Sequence, residues 1–282
     1  MWGGVHVSKR LFGPEHKNTI HTMGNISVAY LHQGKYKEAY EMQIKVVDAM
    51  RSTLEEEDPH LLKAMSNLTQ IQHKLGNYKE AENLQVQVLN KRKDILGEEH
   101  PDTVIAMANL AGTLNALNKF IEAEKLQIQA VDLSIRISGA EHPDTLINMG
   151  NLAATYNILG KYEEAEKLEI QVLDITTRTL GAEHPSIVQS MANLADSFRD
   201  LKKYSEAERL QIQVLNLKKG IFGEEHPDTK SAMARLAMTQ RIMGNNIGAE
   251  DSDKLTSQSS SDIPSAQPAE NHDDSTGDRK RL

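Results

Sequence analysis

The chain has 282 residues, 39% apolar and 26% charged, with 32 Lys+Arg against 40 Asp+Glu and a formal net charge of −8. That length suits one large or two ordinary domains, and the acidic balance argues against nucleic acid or an anionic membrane as partner, since both reward Lys/Arg surfaces. The absence of cysteine excludes a disulfide framework, a thiolate metal site and a Cys nucleophile, and fits a reducing, cytoplasmic setting. No apolar run approaches the roughly 18 residues of a membrane span, and the start, MWGGVHVSKR, has no apolar h-region that would read as a signal peptide.

One period organises the rest. Pro59, Pro101, Pro143, Pro185 and Pro227 recur at a step of 42 residues. The same step relates Met23, Met65, Met107, Met149, Met191 and Met233, and the aromatics Tyr36, Tyr78, Phe120, Tyr162 and Tyr204. Self-similarity at a fixed step is the mark of a solenoid. In chain order, residues 1–13 come first: VHVSKRLFG matches LNLKKGIFG five periods on and reads as the end of an incomplete preceding repeat. Residues 14–248 follow as five full two-helix repeats and a sixth, degenerate one. From 249 to 282 the composition turns to Ser, Asp, Pro and Gln, which predicts a disordered polar tail.

Within a repeat the spacing predicts two helices. Over Asp102–Asn118, Met107, Leu110, Ala111, Leu114 and Leu117 share one arc. Asn118, like Gly34, Gly76, Gly160 and Gly244 in sister repeats, suits the left-handed position that ends a helix; Lys202 is the exception. A second helix runs from about Lys119 to Ile137, with Ala123, Leu126, Ala130 and Val131 as its apolar stripe, and Gly139 ends it. The first helices Thr103–Leu117 and Thr145–Leu159 contain no charged residue, so they are expected in the inner layer, with the more polar second helices outside. The Met ladder lies on the core arc and reads as packing.

EHPDT (Glu99–Thr103, Glu141–Thr145, Glu225–Thr229, and as EHPSI from Glu183) could be a metal or acid–base set, or punctuation between repeats. Its Pro suits the first helical turn and its Asp the positive helix end. Each His falls in a separate unit, too far from its sisters to share an ion. The expectation is a stop–start signal at a helix cap, and no cofactor or metal.

NLAATYNILGKYEEAEKLEIQVLDI (Asn151–Ile175) resembles a tetratricopeptide repeat, in its Leu, small residue and Tyr, then Gly-Lys-Tyr, then Glu-Ala. The 42-residue step closed by LG-x-EHPDT is similar to the repeats of kinesin light chains and of fungal and bacterial NLR-like proteins. The resemblance covers about Gly13–Gly248 and implies an all-α fold, a right-handed superhelical solenoid of helical hairpins. The sequence departs from kinesin light chains at Gln85, Gln127, Glu169 and Gln211, where they carry a larger or sulfur side chain. It has neither their heptad segment nor the phosphate-binding loop of NLR-like proteins.

A last ladder, Asn25, Asn67, Asn109, Asn151 and Asn193 with Arg235 sixth, is not explained by packing. At about 100° per residue, Asn109 falls away from the core arc. A carboxamide can both donate to and accept from a peptide backbone, and the resemblance implies that this position faces a concave groove holding an extended peptide. The other reading is an inter-repeat hydrogen bond that fixes stacking. By the family's pattern, groove neighbours include Lys63, His73 and Lys74 early, then Ile105, Gly112, Ala116, Ile147 and Ile158, and late Asp196, Arg199, Asp200, Arg235 and Arg241. The peptide expected is acidic near Lys63 and Lys74 and apolar over the centre. The function expected is a non-catalytic protein-binding scaffold, with no nucleophile–base spacing or zinc motif in the chain. The alternative is a self-associating or sensor array serving a missing N-terminal effector domain.

Overall fold

The computed structural model describes Gly13, residues 16–181 and residues 184–259, the last fifteen of these by backbone alone; the incomplete preceding repeat expected at 1–13 lies, Gly13 apart, outside the described residues, as do residues 260–282 of the expected tail. The described residues form helices and no strand. First helices are α1 (Lys17–His32), α3 (Pro59–Lys74), α5 (Pro101–Ala116), α7 (Pro143–Ile158), α9 (Pro185–Asp200) and α11 (Pro227–Ser259). Second helices are α2 (Tyr36–Arg51), α4 (Tyr78–Leu96), α6 (Phe120–Ser138), α8 (Tyr162–Leu180) and α10 (Tyr204–Phe222). Each helix packs on the next in the chain, which is the architecture of an all-α solenoid.

The EHPDT stretch starts and stops helices, and it does so through side chains. The Nδ1 atoms of His100, His142 and His184 accept the backbone N–H two residues on, at 3.1–3.2 Å. They are N-caps that satisfy one of the first turn's orphan donors. Asp58 takes the role in the second repeat, at 2.7 Å from the His60 N–H. The Thr of the motif is fully buried and ties the turn shut: Thr103 donates to the Gly97 carbonyl at 2.8 Å and Thr145 to that of Gly139 at 2.9 Å. Gly97 and Gly139 hold φ of 85° and 88°, with ψ of 168° and 161°. That region is open to Gly and closed to side-chain-bearing residues. The first-helix ends are looser in their demand, since Asn118 and Lys202 adopt φ of 60° and 61° where Gly34 and Gly76 stand elsewhere.

The core follows the ladders. Met23, Met65, Met107 and Met149 are buried, and Met191 packs against the buried Val188 and Val214. Ala39, Ala81, Ala123, Ala165 and Ala207 are fully buried where second helices cross first ones. Successive first helices approach one another directly, α1 with α3, α5 with α7 and α7 with α9. Long-range ion pairs tie second helices to neighbouring repeats: Lys119 to Glu82 at 2.6 Å, Lys161 to Glu124 at 2.5 Å and Lys203 to Glu166 at 2.7 Å.

One turn differs from expectation. Gly244 does not end the last first helix; α11 runs through it to Ser259. In every full repeat an aromatic residue opens the second helix just after the turn, and Asn246 stands at that position. Without an aromatic side chain to anchor the chain reversal, helix propagation wins.

Candidate functional site

The predicted site residues lie on the first helices α1, α3, α5, α7, α9 and α11. Asn67, Asn109 and Asn193 are half-buried there, and Asn25, Asn151 and Arg235 are exposed. Asn25 lies 3.4 Å from the His21 ring and Asn193 accepts from Gln189 at 2.6 Å, both contacts within one helix. Among the described residues no hydrogen bond engages the carboxamides of Asn67, Asn109 or Asn151. Inter-repeat bonding is done by other residues. The Gln85 amide donates to the Asn109 carbonyl at 3.3 Å, and Gln127 does the same to Asn151 at 3.2 Å. Asn115 donates to the Thr155 hydroxyl and Asn157 to that of Ser197, each at 2.8 Å. The stacking device that the sequence suggested for the Asn ladder therefore resides in a buried Gln ladder and in Asn115 and Asn157. The Asn side chains stay clear of it.

Charge along the face is uneven. Lys63 and Lys74 are exposed and enter no ion pair among the described residues. His73 sits beside Lys74, edge-on to Tyr78 at 5.0 Å. Burial first, then the Lys74 charge, hold the His73 imidazole below its ordinary pKa, so it is neutral near pH 7. At the far end the cations are already engaged. Arg199 pairs with Asp196 at 3.0 Å and with Asp200 at 3.4 Å, and Arg235 pairs with Asp196. The structure thus puts all nine predicted residues on the first helices but splits them, with free cations in the second repeat and neutralised ones in the fifth and sixth.

Between these ends the face is apolar. Ile105, Ile147 and Ile158 are 46%, 59% and 55% exposed. A cleft of about 660 Å³ opens between α7 and α9 above α8. Ile147, Gly150, Asn151 and Ala154 line it from α7, Gln189, Ser190 and Asn193 from α9, and Glu169, Val172 and Thr176 from α8. Glu169 is 4% exposed and occupies the Gln-ladder position. Its Oε1 accepts from Asn157 at 3.2 Å, while its Oε2 has no partner. Burial pushes its pKa up to about 7, the Asp196 and Asp200 charges add to the rise, and hydrogen bonds from Ser197 and Asn157 oppose it.

Sequence reasoning singled out position 169 only as a departure from a family pattern. The signal was present in the ladder itself, where one acid stands among Gln43, Gln85, Gln127 and Gln211. It also missed a second ladder, Val86, Ile128, Ile170 and Ile212, exposed on the second helices at the same step.

A tetratricopeptide-repeat family model matches residues 19–94, 73–127, 102–178, 151–220 and 188–253, and the chain belongs to the tetratricopeptide-repeat family. That family is one of protein-interaction scaffolds. The chain is 29% identical to the nearly identical TPR-like repeats described for a kinesin light chain of Podosopora anserina, over 73% of this chain and 98% of that one, with a TM-score of 0.66. It shares its fold with BtubC (BKLC) from P. vanneervenii, at 17% identity, 93% and 99% coverage and a TM-score of 0.59. It also shares the fold with a Signal Transduction ATPase with Numerous Domains from Pyrococcus horikoshii that carries a tetratricopeptide repeat sensor. There identity is 13% and the TM-score 0.65, and 85% of this chain matches 35% of that one. No curated protein matches. No described helix is long and apolar enough to cross a membrane.

Proposed function

We propose that this chain is a non-catalytic scaffold that holds an extended segment of a partner protein in its concave groove. The observation that carries the reading is the row of carboxamides at Asn67, Asn109 and Asn151, which recur on the first helices and enter no hydrogen bond among the described residues. Asn25, Asn193 and Arg235 extend the row, with Lys63, Lys74 and Arg199 beside it. A net hydrogen bond contributes about 0.5–1.5 kcal/mol, while micromolar affinity needs about 8 kcal/mol after ordering costs. The row alone gives sequence-blind holding, and selectivity comes from its neighbours: acidic residues of the peptide at Lys63 and Lys74, apolar ones over Ile105, Ile147 and Ile158. The setting proposed is the cytoplasm, with a protein partner rather than nucleic acid or membrane.

The test is peptide-library selection on the full chain, wild type against Asn67→Ala/Asn109→Ala/Asn151→Ala, at matched helicity and melting. Enriched peptides that lose binding to the variant support the groove. Binding that survives moves the contact to the second helices or the tail. A chain that enriches no peptide but gains mass with concentration in light scattering is a self-associating array instead.

A further inference from the structure

Among the described residues, the cleft between α7 and α9 has two carboxylates in its lining, Glu141 and Glu169, and no Lys, Arg or His. Glu141 sits at the rim and is matched by Arg178 at 2.6 Å. Glu169 lies at the floor, almost wholly buried, with Oε2 unpartnered. The other ionised groups that act on it are Asp196 and Asp200 of α9, and both repel its charge; Asn157 of α7 and Ser197 of α9 supply only neutral hydrogen bonds. A buried acceptor left open is costly unless something donates to it. An acidic side chain entering here meets no cation, and an apolar one leaves Oε2 orphaned.

We propose that this cleft takes a lysine-type side chain of the partner segment. Its four-carbon stem lies along Ile147, Ala154 and Val172, and its ammonium donates to the Glu169 carboxylate and to the carboxamide oxygen of Asn151. The compact ammonium suits this site because a single carboxylate stands in the floor of the cleft, whereas a guanidinium fork presents five donors in a plane. The inference rests on the peptide-groove reading and names the chemistry of one side chain in it. Recognition is absent from the neighbouring joint because Gln127 stands at the same position and carries no charge. Since Glu169 titrates near neutrality, seating an ammonium on it drives its proton off, so binding strengthens as pH rises towards about 7 and then levels.

Two probes separate the inference from the broader reading: N-acetyl-lysine-N-methylamide, and the norleucine analogue, which has the same stem and no amine. Each is titrated into the full chain with the Glu169 carboxyl carbon followed by NMR, the resonance being assigned through Glu169→Gln. That substitution restores the ladder residue and therefore keeps the fold. The lysine probe is expected to bind roughly tenfold to a hundredfold more tightly than norleucine, the range of one charge-assisted hydrogen bond, and to lower the Glu169 titration midpoint. Glu169→Gln should bring it down to the norleucine level. Equal binding of the two probes, lysine binding indifferent to Glu169→Gln, or no saturable shift with the lysine probe overturns the inference. If the lysine probe fails while library peptides still depend on the Asn row, this inference alone falls; if it binds while no library peptide does, the groove reading alone falls.

Discussion

The joint between the third and fourth repeats and the joint between the fourth and fifth carry the same ladders, and at the Gln ladder the first holds an amide where the second holds an acid. At the first, Gln127 sits 4% exposed and donates its amide to the Asn151 carbonyl. At the second, Glu169 sits equally deep and cannot donate when ionised; each residue leaves one buried oxygen without a partner, and at Glu169 that oxygen belongs to a carboxylate. The neighbouring Asn-to-hydroxyl bond recurs at both, from Asn115 to Thr155 and from Asn157 to Ser197. The contrast teaches that a repeat array specialises at single ladder positions. The periodic residues set the frame, and the aperiodic one at a periodic position carries the local chemistry.

Exchanging the two residues should have the largest effect. The folded-state pKa of Glu169, about 7, stands above its ordinary 4.5. The folded chain therefore holds a proton that the unfolded chain has lost between those values. Its stability is full below pH 4.5, declines as pH rises to about 7, and is level above. That gap corresponds to about 3 kcal/mol. Glu169→Gln should raise stability by up to that amount at pH 8 and leave it nearly unchanged at pH 4.5. Gln127→Glu should bring the same pH-dependent loss to the other joint. Denaturant melts of both variants across this pH range check the sign, and a flat difference would show that the carboxyl carries no burial cost.

A sharper version removes the matching Asn at each joint. Asn157→Ala takes away a hydrogen bond that favours the ionised Glu169, so its cost should be about 1.5–3 kcal/mol at pH 8 and smaller at pH 5. Asn115→Ala, beside a neutral joint, should cost about 1 kcal/mol at either pH. Identical pH profiles for the two would break the comparison. Smaller still is the turn shared by both regions. Thr145→Val keeps the shape and deletes the bond to the Gly139 carbonyl, for an expected loss of about 1 kcal/mol, measured by thermal melting. Smallest is Lys202→Gly, which relieves a left-handed backbone held by a side-chain-bearing residue and should add about 0.5–1 kcal/mol.

Much of this molecule is legible in its sequence because one period repeats. The proline step places the starts of α3, α5, α7, α9 and α11, the aromatic step places those of the second helices, and the Met and Ala ladders place the core. What the period could not supply is direction within a shared position. Asn109 and Gln85 recur with equal regularity, yet one side chain enters no hydrogen bond among the described residues and the other bonds the first one's backbone. Only the crossing of α4 and α5 separates them. The helix that runs past Gly244 was hidden for the opposite reason: a stop signal was present, while the aromatic that makes the turn worth closing was not. The cleft at Glu169 depends on the spacing of three helices, which no linear pattern states.

The most direct measurement of the central claim, that the inner layer is the reading face, is backbone hydrogen exchange of the full chain with and without a library-selected peptide. The account predicts new protection concentrated in the first helices α3, α5, α7 and α9, with the second helices little changed. Protection confined to the second helices, along the exposed Val86, Ile128, Ile170 and Ile212 ladder, would contradict it.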